Sequence, residues 1–200
     1  MGWRNAARPL AVLAAAASLV AVGGHVRAAP EEYEIDPEHF SIGFMASHLG
    51  FQNQLGMFLK GEGSFLYDPE VQEVTDIRIE VEAKSVFTNN KRRDKHLRSP
   101  DFLNAKEFPK IIFTGTSAEK ISDTTGRIHG ELELLGQTRP ITLEVRLNQI
   151  AVYAFGHKRK TIGISAHTSF RRSAFGMTYG VDDLVGDEIQ MFFEFEALKQ

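Results

Sequence analysis

Arg127-Ile128-His129-Gly130-Glu131-Leu132-Glu133-Leu134, then Leu135-Gly136, then Gln137-Thr138-Arg139-Pro140-Ile141-Thr142-Leu143-Glu144-Val145-Arg146-Leu147, is the stretch that decides the fold. Ile128, Gly130, Leu132 and Leu134 alternate with Arg127, His129, Glu131 and Glu133. After the break, Ile141, Leu143, Val145 and Leu147 alternate with Thr142, Glu144 and Arg146. Period two is the signature of a strand with one apolar and one solvated face. Leu135-Gly136-Gln137-Thr138 is a short connection, so the two strands form an antiparallel hairpin.

The same pattern recurs outward in both directions. Ile77, Ile79, Val81 and Ala83 alternate with Arg78, Glu80, Glu82 and Lys84, and Ile189, Met191, Phe193, Phe195 and Ala197 alternate with a polar set. Weaker strands run through Phe40-Ile42-Phe44, residues 55–67, Ile111-Phe113 and Ile162-Ile164-Ala166. Eight strands predict an all-β fold, a small eight-stranded antiparallel barrel. Gly61 and Gly63 read as a bulge or bend, and Gly126 as a turn residue with positive φ. Two segments interrupt the pattern, residues 86–109 and 171–187, and predict a lid or binding loops. Within the first, Ser99-Pro100-Asp101 reads as a cap and first turn of a short helix carrying Phe102 and Leu103.

The first 28 residues read as a secretory signal peptide, with residues 29–200 as one barrel domain. Arg4 and Arg8 precede an uncharged run over residues 10–24, and Val26-Arg27-Ala28 supplies small residues for cleavage. The alternative, a membrane anchor, needs roughly 20 apolar residues, and this run is shorter. Removal of Arg4, Arg8 and Arg27 leaves 20 basic against 26 acidic side chains, a net charge of −6. That balance disfavours nucleic acid as a partner and gives no general attraction to anionic lipid, so no stable membrane insertion is expected. The chain has no cysteine, which rules out a disulfide scaffold, a thiolate nucleophile and a thiolate-bound metal.

In a barrel with a charged exterior the apolar face points inward. The expected wall residues are Ile42, Phe44, Phe58, Phe65, Ile79, Val81, Phe102, Phe113, Ile128, Leu132, Leu143, Val145, Ile164, Phe175, Met191 and Phe193. Fifteen phenylalanines against four tyrosines suit a lining for an alkyl or prenyl chain, or else a solidly packed core. In the first case a chain of about fifteen methylenes offers some 12 kcal/mol before ordering losses.

Catalytic patterns are sparse. No Gly-x-Ser-x-Gly, His-Glu-x-x-His, calcium loop or phosphate-cradling glycine motif occurs. No cofactor and no metal is expected, and no catalytic residue is assigned. His48 either meets a ligand head group or holds a turn. Arg93 and Asp94, in the polar run Lys91-Arg92-Arg93-Asp94-Lys95-His96, either orient a ligand's polar end or pair to fix a solvated loop. Asp182, Asp183, Asp187 and Glu188 resemble a cation site only loosely.

Five motifs in order resemble a known family. They are Tyr33-Glu34-Ile35-Asp36-Pro37-Glu38-His39; Ser47-His48-Leu49-Gly50-Phe51 with Gly56-Met57-Phe58; and Arg93 through Ser99 with Asp101-Phe102-Leu103 and Phe108-Pro109. The last two are Gly130-Glu131-Leu132 through Thr138 and Pro140, and Arg172 through Met177 with Val185-Gly186-Asp187-Glu188. This order resembles the YceI-like, polyisoprenoid- or lipid-binding proteins. The resemblance implies a lipocalin-like barrel in the periplasm whose apolar pore holds a long isoprenoid or a similar amphiphile, and it implies no catalytic residue. One departure is Phe40, where the family has a small serine; a phenyl ring there is expected to narrow one end of the pore. The expected function is thus a carrier for a long apolar small molecule, with a homodimer compatible. The alternatives are an enzyme on a lipophilic substrate using His48, Arg93 and Asp94, and a solid-barrel interaction module.

Overall fold

The structure, a computed structural model, describes Met1 and residues 29–181 and 183–200. The expected signal peptide, but for Met1, and Asp182 lie outside the described residues. Ten strands form the fold: β1 (Glu31–His48), β2 (Gln52–Phe58), β3 (Gly61–Asp68), β4 (Glu73–Glu82), β5 (Val86–Phe87), then helix α1 (Lys91–Leu97), β6 (Lys110–Lys120), β7 (Thr125–Leu134), β8 (Gln137–Val152), β9 (Lys160–Arg171) and β10 (Val185–Lys199).

They make eight staves of a closed antiparallel barrel. β2 and β3 continue one another along the same side of β1, and β4 and β5 likewise form one interrupted stave. The two interruptions face each other and are stitched by backbone bonds from Leu59 N–H to the Ser85 carbonyl and from Glu82 N–H to the Lys60 carbonyl. The remaining staves follow chain order, and β10 closes on β1 from Tyr33↔Lys199 to His48↔Val185. Closure leaves no long unpaired edge.

The alternation is what makes this possible. Ile79 and Val81 are buried while Arg78 and Glu80 face outward, where Arg78 and Lys110 both pair with Glu80. In the deciding hairpin, Leu135 and Gly136 both take positive φ (53° and 70°), the two-residue turn that matches strand twist. Gly126 behaves differently from expectation: it is an ordinary β7 residue without positive φ. A side chain there would meet the Glu119 carbonyl at 2.6 Å, so close strand approach, not a turn, requires the glycine.

The short helix also sits earlier than expected. Asn90 caps it by accepting from the N–H groups of Arg92 and Arg93, and α1 ends at Leu97. Ser99-Pro100 belongs to the turn that follows, where Phe102 N–H bonds the Ser99 carbonyl. A seven-residue helix followed by turns through residue 107, together with the 3₁₀ turn Arg172–Phe175, covers one end of the barrel. The three connections at residues 69–72, 121–124 and 153–159 leave the strands at the opposite end.

Candidate ligand-binding site

The inner face encloses two apolar cavities, one towards each end. The first, about 130 Å³, lies under α1 and the turns beside it, and no polar surface faces it. Its wall includes Ile42, Phe44, Phe58, Val81, Leu132 and Met191, and Leu97, Phe102, Leu103 and Met177 close its end. The second, about 180 Å³, is bounded by Phe65, Ile128, Val145, Ile164 and Phe195. It runs out between the β3–β4 turn and the β6–β7 hairpin, past Gln72, Lys120 and the exposed Asp123. Ile79, Phe113, Leu143 and Phe193 line both cavities and form the waist between them. The interior is therefore neither filled throughout nor a single wide channel. Apolar voids of this order stay dry and accept hydrocarbon guests.

Fifteen of the sixteen expected wall residues line one or both cavities. Phe175 does not: it is buried beneath the 3₁₀ turn, edge-on to Phe170 with ring centres 5.3 Å apart. A turn residue cannot follow strand alternation, and its neighbours decide where it points. Phe40 lines neither cavity; it packs edge-on against Phe195 and covers Gly61.

His48, Arg93 and Asp94 line neither cavity. Asp94, only 5 % exposed, accepts from the Thr88 N–H at 2.8 Å and from its hydroxyl at 2.5 Å. Arg93 donates from Nε to the Thr88 hydroxyl and from its terminal nitrogen to the Thr88 carbonyl, both at 2.7 Å. Both side chains are spent on docking α1 against β5. His48 ends β1, where its carbonyl accepts from Phe51 N–H and holds the turn. Its side chain forms no hydrogen bond or ion pair with Arg93 or Asp94. Asp187, from the loose acidic group, is committed to the N–H and hydroxyl of Ser173.

Sequence reasoning placed Arg172 in a family motif but gave it no role. It is 1 % exposed and forms part of the wall of the first cavity, yet among the described residues no acid pairs with it at short range. Its guanidinium donates to the carbonyls of Gly186, Met177 and Val185 and lies over the Phe102 ring at 5.9 Å. Burial lowers its pKa, with Asp187 opposing. The arginine ties the 3₁₀ turn to the start of β10, and so holds the covered end shut. At the open end the polar groups differ: Lys120 bonds Gln72 and pairs with Asp123 at 3.0 Å, and burial pushes the Tyr67 hydroxyl pKa up. The open end thus offers donors and acceptors next to solvent; the covered end offers hydrocarbon.

An eight-staved antiparallel barrel with an apolar interior and one covered end has the architecture of the lipocalin-like ligand-binding barrels. Within that class, residues 33–197 match the YceI-like domain, and the chain belongs to the YceI-like family. Protein YceI of Salmonella arizonae is 34 % identical over 186 residues, covering 92 % of this chain and 94 % of that protein. The YCEI protein of Campylobacter jejuni has 29 % identity and a TM-score of 0.69, over 77 % of this chain and 90 % of the other. A polyisoprenoid binding domain from Saccharophagus degradans shares the fold at 10 % identity with a TM-score of 0.65, over 84 % and 98 %.

Proposed function

We propose that this protein binds and carries a long-chain isoprenoid or a similar amphiphile without transforming it. The observation that carries the reading is the pair of apolar cavities joined at a four-residue waist, open at one end only to polar groups. The molecule enters tail first and ends under α1, while its polar end stays between Gln72, Lys120 and Asp123. Family membership supports the reading, as does the ligand class named for the Saccharophagus degradans domain. The leader-like residues 1–28 support a place in the periplasm.

The test is direct. Protein purified from its own host is extracted with organic solvent and the extract analysed by mass spectrometry. Delipidated protein is then offered a prenyl alcohol and a fatty acid in competition with a fluorescent fatty-acid probe. A stoichiometric lipid in the extract, or saturable probe uptake displaced by the prenyl alcohol, is expected. A clean extract together with no uptake would overturn the proposal.

A further inference from the structure

The outer wall carries a cluster that the apolar interior does not explain. Where β1 crosses β10, the register slips: between the pairs Ile35↔Ala197 and Phe40↔Phe195, four residues of β1 lie opposite the single residue Glu196 of β10. The extra length, Asp36-Pro37-Glu38-His39, breaks alternation and brings Asp36 and His39 against Glu196 of β10. Asp36 Oδ2 and His39 Nδ1 share a hydrogen bond of 2.8 Å, whose proton a bound metal would displace, and Glu196 Oε2 lies 3.9 Å from the same nitrogen. One donor atom from each of the three falls within 4.8 Å of the others, which no other His or acid group among the described residues matches.

One further fact points to a missing partner. The Oε2 atom of Glu196 is buried and accepts no hydrogen bond, although the side chain as a whole is 30 % exposed. A desolvated carboxylate oxygen without a donor is unfavourable and calls for an ion or an ordered water. Asp36 is itself buried, and the Glu38 N–H holds its other oxygen at 3.0 Å, which fixes Oδ2 toward the cluster. Two carboxylates and one imidazole carry a charge of −2 when the ring is neutral, which one dication cancels. A groove bordered by His39, Glu196, Tyr153 and Phe155 gives access from solvent for a fourth ligand.

We propose that Asp36, His39 and Glu196 bind a divalent transition-metal ion of the zinc class, clipping the bulge of β1 to β10. Three protein ligands of mixed nitrogen and oxygen type with one open position match zinc coordination. Calcium and magnesium are disfavoured, because these hard cations take oxygen ligands and not an imidazole nitrogen. Only a small closure is needed to bring the donors within zinc's bonding distance of roughly 2.0–2.2 Å.

The experiment uses chelator-stripped full-length fold, titrated with zinc chloride by calorimetry in a non-coordinating buffer and followed by thermal melting. One saturable site and a higher melting temperature are expected. His39→Asn and Glu196→Gln should each weaken binding by at least about tenfold, the lower end of what even outer-shell losses do to metal sites. His129→Gln, on a distant part of the outer wall, should leave it unchanged. His39 is exposed, so its substitution leaves the core intact and the test stands even if the Glu196 variant folds poorly. Absence of a saturable site, or binding that survives both substitutions because zinc sits adventitiously on other histidines, overturns the proposal.

Discussion

The ring of Phe113 on β6 rests on Gly130 of β7: a side-chain carbon built on Gly130 would come within 2.5 Å of the ring carbons Cε2 and Cζ and of the Thr114 carbonyl oxygen. Phe113 is one of the four waist residues, so a glycine on the neighbouring stave sets how far the constriction projects into the lumen. Gly130→Ala is therefore expected to push the ring inward and to destabilise the fold by about 1–3 kcal/mol, as overpacking does. Urea denaturation measures the loss. An unchanged midpoint would contradict this, since both the ring and the Thr114 carbonyl would then have to give way without cost.

The waist makes a second expectation. Phe193→Leu removes ring atoms shared by both cavities and should cost only about 1 kcal/mol, well below full truncation of a phenylalanine. The wider passage should shift preference toward longer or bulkier chains in a competition series of alcohols of graded length. If the variant and the parent rank the series identically, chain length is limited elsewhere.

Arg172→Lys should destabilise the protein by about 2–4 kcal/mol despite keeping the charge. A lysine cannot fork to three carbonyls, and those of Gly186, Met177 and Val185 would lose their donors in a buried place. Hydrogen exchange read by mass spectrometry should show the added opening confined to residues 172–187 at mild denaturant. Uniform opening along the whole barrel would contradict the assigned role.

Acid should weaken the strand seam through Glu31. Its carboxylate accepts from Lys160 and Lys199 at 2.7 Å each and from the Tyr33 hydroxyl at 2.9 Å, and its pKa falls to about 2 chiefly through the Lys160 bond. Between the ordinary carboxylate value and about pH 2 the unfolded chain holds more protons at this group than the folded one. Its contribution is thus complete above the ordinary value and disappears as pH drops through that window. Asp36, Glu80 and Asp187 are lowered too and act in the same sense, so the comparison must be made against Glu31→Gln. The gap in melting temperature between parent and variant should shrink from pH 5 to pH 2; a constant gap would refute the linkage.

Alternation made the eight staves legible, because a barrel wall imposes one rule on every residue in it. The wall positions follow from parity alone, which is why Ile128 and Leu132, or Leu143 and Val145, can be placed before any coordinate is known. Parity fails at insertions. Asp36 to His39 shift β1 by an odd number of residues, from the set Tyr33-Ile35 to the set Phe40-Ile42-Phe44, and Pro37, which cannot donate to a ladder, is its one local sign. Arg93 and Asp94 look like surface charges until Thr88 is seen to satisfy both. Arg172 carries no assigned role in the sequence, since the three carbonyls that justify its burial come five to fourteen residues later along a folded-back loop. The helix was displaced toward Ser99-Pro100 because a serine–proline pair resembles a cap, while the acting cap is Asn90.

The join between β1 and β10 sets the order of events when the chain folds. Tyr33 and Lys199 become neighbours only across nearly the whole sequence, so the sheet remains an open ribbon until its final strand is available. Contacts of such long range make folding slow. They also mean that a chain shortened by even one strand at its C-terminus would keep seven staves yet lose the enclosure, turning a container into an exposed greasy surface.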